Sequence, residues 1–179
     1  MSVAFRKATH GRNQPAHSFI RKSDMENEDM RLVQLAPMRV AWALGFGPQP
    51  EFLAWTKLLT WAKAEGLDPR EQRFFGFNNP SPSPGSPHYG YEQWMTVGPD
   101  VKPSGEVQVK DFQGGLYLVM RCHDLQQITE VWGELTRRFE QSPYQRGQHQ
   151  WLEECLGVDS LDDPAVEKKP FDLYLPVAK

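Results

Sequence analysis

From Met30 onward the chain alternates between two hydrophobic rhythms. Met38, Val40, Trp42, Leu44 and Phe46 alternate with smaller or polar residues, the period-two pattern of a half-buried strand, and Leu32, Gln34 and Pro37 ahead of them predict a break or bulge. After Gly47-Pro48-Gln49-Pro50 the spacing becomes helical: Phe52, Trp55, Leu59 and Ala62 recur on one face, which Leu58 and Trp61 widen, until Gly66 and Asp68-Pro69 end it. Residues 74–77 read as a short strand and 78–86, dense in Pro and Ser, as an irregular loop. In the strand that follows, Tyr89, Tyr91, Gln93, Met95 and Val97 point one way and Glu92, Trp94 and Thr96 the other.

The second half repeats this order. Residues 107–112 and 116–122 are extended around a bend at Gly114-Gly115. Asp124, with Gln127 three residues on, predicts an N-terminal cap for a helix whose apolar stripe is Ile128, Val131, Trp132, Leu135 and Phe139. A short segment at 151–156, an acidic loop through Asp162, Asp163 and Pro164, and a last strand at 171–177 complete the chain. Strand, helix, strand, strand therefore occurs twice, in units of roughly 70 residues, and internal duplication is the simplest account. Each unit alone leaves a sheet face and a helix stripe bare. The expected fold is α+β: duplicated β-α-β-β units forming one antiparallel sheet, two helices against it, and a central ligand groove between the halves.

Composition narrows the function classes. A net charge of -3 and a pI near 6.0 do not suit a protein that lives on nucleic acid, although Arg6, Lys7, Arg12, Arg21 and Lys22 all precede the first acidic residue, Asp24. Residues 1–29 lack periodicity and are read as an arm, with one domain at 30–179. Two cysteines, no secretory leader and no apolar run long enough to cross a bilayer predict a cytoplasmic protein without a membrane partner. The five histidines lack ligand spacing, no Gly-rich phosphate loop follows a strand, and His123 would face away from Cys122, so neither metal, cofactor nor Cys nucleophile is expected. The unusual feature is aromatic content, 12% with six Trp.

Tyr89-Gly90-Tyr91-Glu92-Gln93-Trp94, Lys110-Asp111-Phe112-Gln113-Gly114-Gly115-Leu116-Tyr117, Trp132, Leu152-Glu153-Glu154-Cys155-Leu156 and Tyr174-Leu175-Pro176-Val177 together resemble the GyrI-like effector-binding domains of AraC-type and multidrug-responsive transcription regulators. The resemblance spans about residues 30–178. It implies a pocket in which a carboxylate among aromatic rings takes up lipophilic cations, with Glu153 at the position of that acid. Some relatives hydrolyse cyclopropane-bearing compounds with a Glu and a Tyr; a Tyr often stands two positions after the acid, where this chain has Cys155. Phe5-Arg6-Lys7-Ala8-Thr9-His10-Gly11, with Pro15 and residues 19–21, resembles the tail of an AraC-type helix-turn-helix domain, too short a stretch to bind DNA independently.

A carboxylate placed among rings is disfavoured in its charged form by desolvation, and a cation that arrives to pair with it relieves that cost. Ring faces add about 0.5–2 kcal/mol per cation contact and accept flat ligands without a fixed hydrogen-bond pattern. The candidate ligand-binding set is Glu153, Glu92, Tyr91, Trp94, Tyr117 and Trp151, with Phe75, Phe77 and Trp42 behind them. Against this set stand plainer readings: Glu92 as an exposed strand residue beside Lys110 or Arg121, one of Glu153 and Glu154 as merely solvated, and Trp55 and Trp132 as helix core. Three functions follow: a binder or sensor of hydrophobic cationic compounds, a cyclopropanoid hydrolase using Glu153 with Tyr91 or Tyr117, and a protein-interaction module such as a topoisomerase modulator. The sequence does not specify the oligomeric state or the natural ligand.

Overall fold

The computed structural model describes residues 30–162 and 165–179; the basic arm and its likeness to a helix-turn-helix tail lie outside them. The elements are β1 (Arg31–Leu35), β2 (Met38–Gly47), α1 (Pro50–Ala64), β3 (Phe74–Asn78), β4 (Tyr89–Thr96), β5 (Gln108–Phe112), β6 (Gly115–Cys122), α2 (Ile128–Glu140), β7 (Gln145–Arg146), β8 (Leu152–Cys155) and β9 (Phe171–Ala178). They form one curled antiparallel sheet in the order β1-β6-β9-β8-β3-β4-β2-β5, with β7 added to β9. The expected duplication is there: β2-α1-β3-β4 and β6-α2-β8-β9 are arranged alike about the central β3–β8 pair, where Phe75 faces Glu154.

The edge strands cross over. β1 precedes the first unit yet pairs with β6 of the second, and β5 precedes the second unit yet pairs with β2 of the first. Pro37 therefore marks a full break between β1 and β2 rather than a bulge within one strand. Gly114 packs against that break with φ +76°, and a Cβ there would lie 2.3 Å from the Leu35 carbonyl oxygen, so both the backbone and the space require glycine.

Pro50 opens α1 at a position where its missing N–H costs nothing, and Gly66 closes it in a left-handed turn, with Leu67 N–H donating to Ala62 O and Gly66 N–H to Lys63 O. Asp124 caps a 3-10 turn at Leu125–Gln127, one turn ahead of α2 itself. α1 packs on β2 and β4, and α2 on β6 and β9. Beneath them Ala41, Ala43, Met95, Leu118, Met120, Leu173 and Leu175 join Leu58, Ala62, Val131 and Leu135 in one core.

The face of β2 expected to be buried is the less covered one. Its small residues Ala41, Ala43 and Gly45 lie under α1, which approaches so closely that a Cβ on Gly45 would meet Pro50 O at 1.9 Å. Leu44 and Phe46 face outward, Phe46 58% exposed. Among the described residues no helix lies on that second face, and the sheet curls until the face packs on itself. Val40, Phe75, Phe77, Trp94, Tyr117, Val119, Leu152 and Tyr174 are buried there as a second core.

Candidate ligand-binding groove

Strand alternation divides the expected site residues between the two faces. Glu92, Trp94, Tyr117, Phe75 and Trp42 lie inside the curl; Tyr91 and Glu153 lie on the helix side, with Trp151 beside them; Phe77 touches both regions. The structure therefore does not bring the set together as one pocket.

Inside the curl, Glu92 is 4% exposed and accepts hydrogen bonds from Trp94 Nε1 at 2.6 Å and Asn79 Nδ2 at 2.9 Å, while Lys110 Nζ forms an ion pair with it. That ammonium sits 4.4 Å from the Trp94 ring centroid, 5.0 Å from Trp42 and 6.0 Å from Phe77. An acid-and-ring cage thus surrounds Glu92, and its cation is the protein's own Lys110. The plainer reading is right in setting Glu92 beside Lys110 and is corrected on exposure, since Glu92 is buried. Two further acids are treated alike. Glu154 takes a two-pronged bond from Arg73, at 2.7 and 2.9 Å, and a hydrogen bond from Tyr174 OH; Asp172 is paired with Arg31 and Arg121. Tyr117 donates to Gln150 O at 3.0 Å and packs edge-on against Tyr174, 5.7 Å between centroids, as Phe75 does at 6.1 Å. These are core contacts.

On the helix side, α1 and α2 stand over the outer strands and leave β3 and β8 as the floor of a groove. Glu153 rises from β8 beside Gly76 of β3. Tyr91, on the neighbouring strand, lies across Gly76, where a Cβ would meet its hydroxyl at 2.3 Å; this glycine is what lets the Tyr91 OH donate to Glu153 Oε2 at 2.9 Å. From α2, Trp132 Nε1 donates to Glu153 Oε1 at 3.1 Å, and its ring lies 5.2 Å from that of Trp151. Both donors are neutral. Among the described residues no lysine, arginine or histidine pairs with Glu153, in contrast to Glu92, Glu154 and Asp172. Burial raises the carboxyl's proton affinity above that of an ordinary glutamate, against the opposing pull of the two hydrogen bonds, and the charge of Glu51 adds to the rise. Burial, then Glu153, pushes the Tyr91 phenol well up, so it stays protonated and donating.

Glu153, Trp132, Trp151, Gln150, Phe77, Asn78 and Ser81 line a recess of about 400 Å³. A larger one, about 700 Å³, lies along α1 between Phe52, Trp55, Leu59 and Lys63 and the segment that carries Leu161, Asp162 and Val166. Trp55 stacks on Phe74 of the floor at 5.4 Å. Phe52, assigned to the apolar stripe of α1, is 67% exposed and lines the larger recess. Trp55 and Trp132, read as helix core, are half-buried: each packs against the core and also lines one of the recesses. Of the Glu153–Glu154 pair neither is simply solvated. The sequence also passed over Tyr89 and Glu51, although Tyr89 shares the face of Tyr91; its hydroxyl donates to Glu51 Oε1 at 2.7 Å, and burial together with that acid pushes the phenol up to about 12.

Among the described residues no three His, Cys, Asp or Glu side chains are placed to hold a metal ion, and no helix is long and apolar enough to cross a membrane. Burial pushes the Cys155 thiol up to about 12, which keeps it un-ionised and a poor nucleophile.

The paired β-α-β-β domain with a groove between its helices is consistent with the fold implied by the resemblance to GyrI-like effector-binding domains. Residues 31–177 match the model of the family described as Cass2, integron-associated effector binding protein, and the chain belongs to that family. No curated protein matches the sequence. Among solved structures it is similar to EcmrR in a DNA complex, with TM-score 0.66 and 13% identity over 88% of this chain and 60% of that one. This chain thus spans about 60% of the length of that protein. It is also similar to the integron cassette protein VCH_CASS2 of Vibrio cholerae, with TM-score 0.54 and 12% identity over 83% and 95% of the two chains. A third likeness is to SAV2435 bound to tetraphenylphosphonium, with TM-score 0.50 and 14% identity over 84% and 94%. At these identities the likenesses are of fold.

Proposed function

We propose that the protein binds lipophilic organic cations in the helix-side groove, with Glu153 as the counter-charge and Trp132, Trp151 and Tyr91 as its aromatic walls. The observation that carries this reading is the state of Glu153: a largely buried carboxylate held by two neutral donors and, among the described residues, by no cation, opening on a recess of about 400 Å³. A guest cation would supply the charge that Lys110, Arg73 and the Asp172 arginines supply elsewhere in the molecule. The likeness of fold to a protein crystallised with tetraphenylphosphonium supports the same ligand class. Sensing or sequestering such compounds in the cytoplasm is the role this chemistry serves best, with any DNA binding supplied by a partner or another domain.

Titration with tetraphenylphosphonium, followed by tryptophan fluorescence and calorimetry, tests the reading. Wild type is expected to bind with micromolar or tighter affinity, and Glu153→Gln to lose most of it; no binding by wild type, or equal binding by the variant, would overturn the proposal. A hydrolase is the second reading, favoured by one contact: Tyr91 OH and Glu153 lie 2.9 Å apart, a phenol and an acid placed to share one substrate proton. Tyr117 offers no such partner, since its hydroxyl is given to Gln150 O on the other face. Turnover of a cyclopropane-bearing alkylator, lost in both Glu153→Gln and Tyr91→Phe, would establish it.

A further inference from the structure

A second carboxylate stands beside the groove. Glu51 stands in the first turn of α1, partly buried, and among the described residues it pairs with no cation. Its one hydrogen bond comes from Tyr89 OH at 2.7 Å. Tyr89 and Tyr91 are two residues apart on one face of β4, a separation of roughly 7 Å along a strand. One tyrosine hydroxyl reaches toward α1 and Glu51, the other toward β8 and Glu153. The two acids are thus held on the same side of the sheet by adjacent arms of one strand, and each raises the proton affinity of groups at the other's end of the groove.

Of the two recesses only the smaller is lined by one of these acids, and the larger lies next to the other. Glu153 lines the smaller one directly. Glu51 precedes Phe52 and lies one helical turn before Trp55, and both of these line the larger one. A ligand with a single charge satisfies Glu153 and leaves Glu51 with only a phenol for company. A ligand with two positive centres neutralises both.

We propose that Glu51 is a specificity-determining residue of this groove and that the preferred ligand is dicationic, one charge against Glu153 and the other against Glu51, joined by an apolar linker that lies over Tyr89 and Tyr91. This rests on the reading of Glu153 as the counter-charge and goes beyond it by fixing the ligand's second charge and its spacing. Strand positions roughly 7 Å apart whose hydroxyls reach in opposite directions call for a linker somewhat longer than that spacing, as six methylene groups are. No bond is made or broken.

Calorimetry with hexamethonium and its one-headed analogue hexyltrimethylammonium, on wild type, Glu51→Gln and Glu153→Gln, tests the proposal. Gln keeps an acceptor for Tyr89 and occupies the same partly buried helix start at nearly equal volume, so the variant is expected to fold, which circular dichroism checks. Wild type is expected to favour the two-headed compound. Glu51→Gln is expected to lose about fivefold for hexamethonium, the upper range for a partly exposed charge pair, and to leave the one-headed analogue unchanged. Glu153→Gln is expected to weaken both. Equal effects of Glu51→Gln on the two compounds, or none on either, would overturn the role of Glu51 while leaving Glu153 standing. Failure of wild type to bind either compound or tetraphenylphosphonium would overturn the underlying reading as well.

Discussion

Glu92 and Glu153 look alike in the sequence, each an acid among aromatic residues, and they sit on opposite faces of one sheet. Inside the curl Glu92 meets an ammonium delivered by Lys110 of the crossed-over strand β5, and the rings of Trp42, Trp94 and Phe77 surround that charge. On the helix side Glu153 meets two neutral donors and an open recess. An acid-and-aromatic set therefore does not by itself mark a ligand site. What decides is whether the fold brings one of its own cations to the acid, and here the edge-strand exchange does so on one face only. β1 does the same service as β5 at the other end, since its Arg31 pairs with Asp172 of the second unit.

The contrast is sharpest in stability. Lys110→Met leaves Glu92 buried without its cation, and should cost about 2–3 kcal/mol, less than the 3–5 typical of fully buried pairs because Lys110 remains partly exposed. Urea denaturation is expected to show a lower midpoint at unchanged m, with recovery in Lys110→Met/Glu92→Gln; an undestabilised single variant would break the account of the cage. For Glu153→Gln the sign reverses. Folding raises the proton affinity of Glu153, so its contribution to stability is fully present below the unfolded pKa and lost as pH rises through the folded one. At neutral pH the variant should melt a few degrees higher while losing about 1.5–2 kcal/mol of tetraphenylphosphonium affinity, as read by parallel melting and calorimetry. Binding by wild type should tighten as pH rises through the raised Glu153 pKa and then level off, with proton release on binding; a flat profile across that window would count against a charged acceptor. The smallest effect belongs to Trp132→Phe, which keeps a ring in the wall and removes the donor to Glu153 Oε1. Affinity should fall by under about 1 kcal/mol and the pH midpoint of binding should move up, because one of the two bonds that favour the carboxylate is gone.

The duplicated units and the helix boundaries were readable because hydrophobic period and glycine-proline punctuation are local properties. Alternation in β4 placed Tyr91 and Glu92 on opposite faces, and the structure keeps them there. The crossing of β1 and β5 was not readable, since which unit an edge strand joins depends on long-range pairing that no window of sequence contains. That one hidden fact decides the fate of Glu92. The inversion of β2 was hidden for a related reason: small residues at Ala41, Ala43 and Gly45 read as the polar-equivalent face until a helix is known to lie close on them. Trp132 and Trp55 were placed in the core because a ring on an apolar stripe has no local mark that tells a packed flank from a groove wall. For Trp132 the signal was its place at the stripe's edge, beside the buried centre formed by Val131 and Leu135.

Cation binding in the groove requires that Glu153 be an unneutralised acid in the free protein. Carboxyl-carbon NMR titration of the protein, with and without saturating tetraphenylphosphonium, measures this directly. The prediction is a Glu153 midpoint above that of an ordinary glutamate in the free protein, falling when the cation is bound. A Glu153 that titrates like a surface glutamate and does not respond to the cation would contradict it.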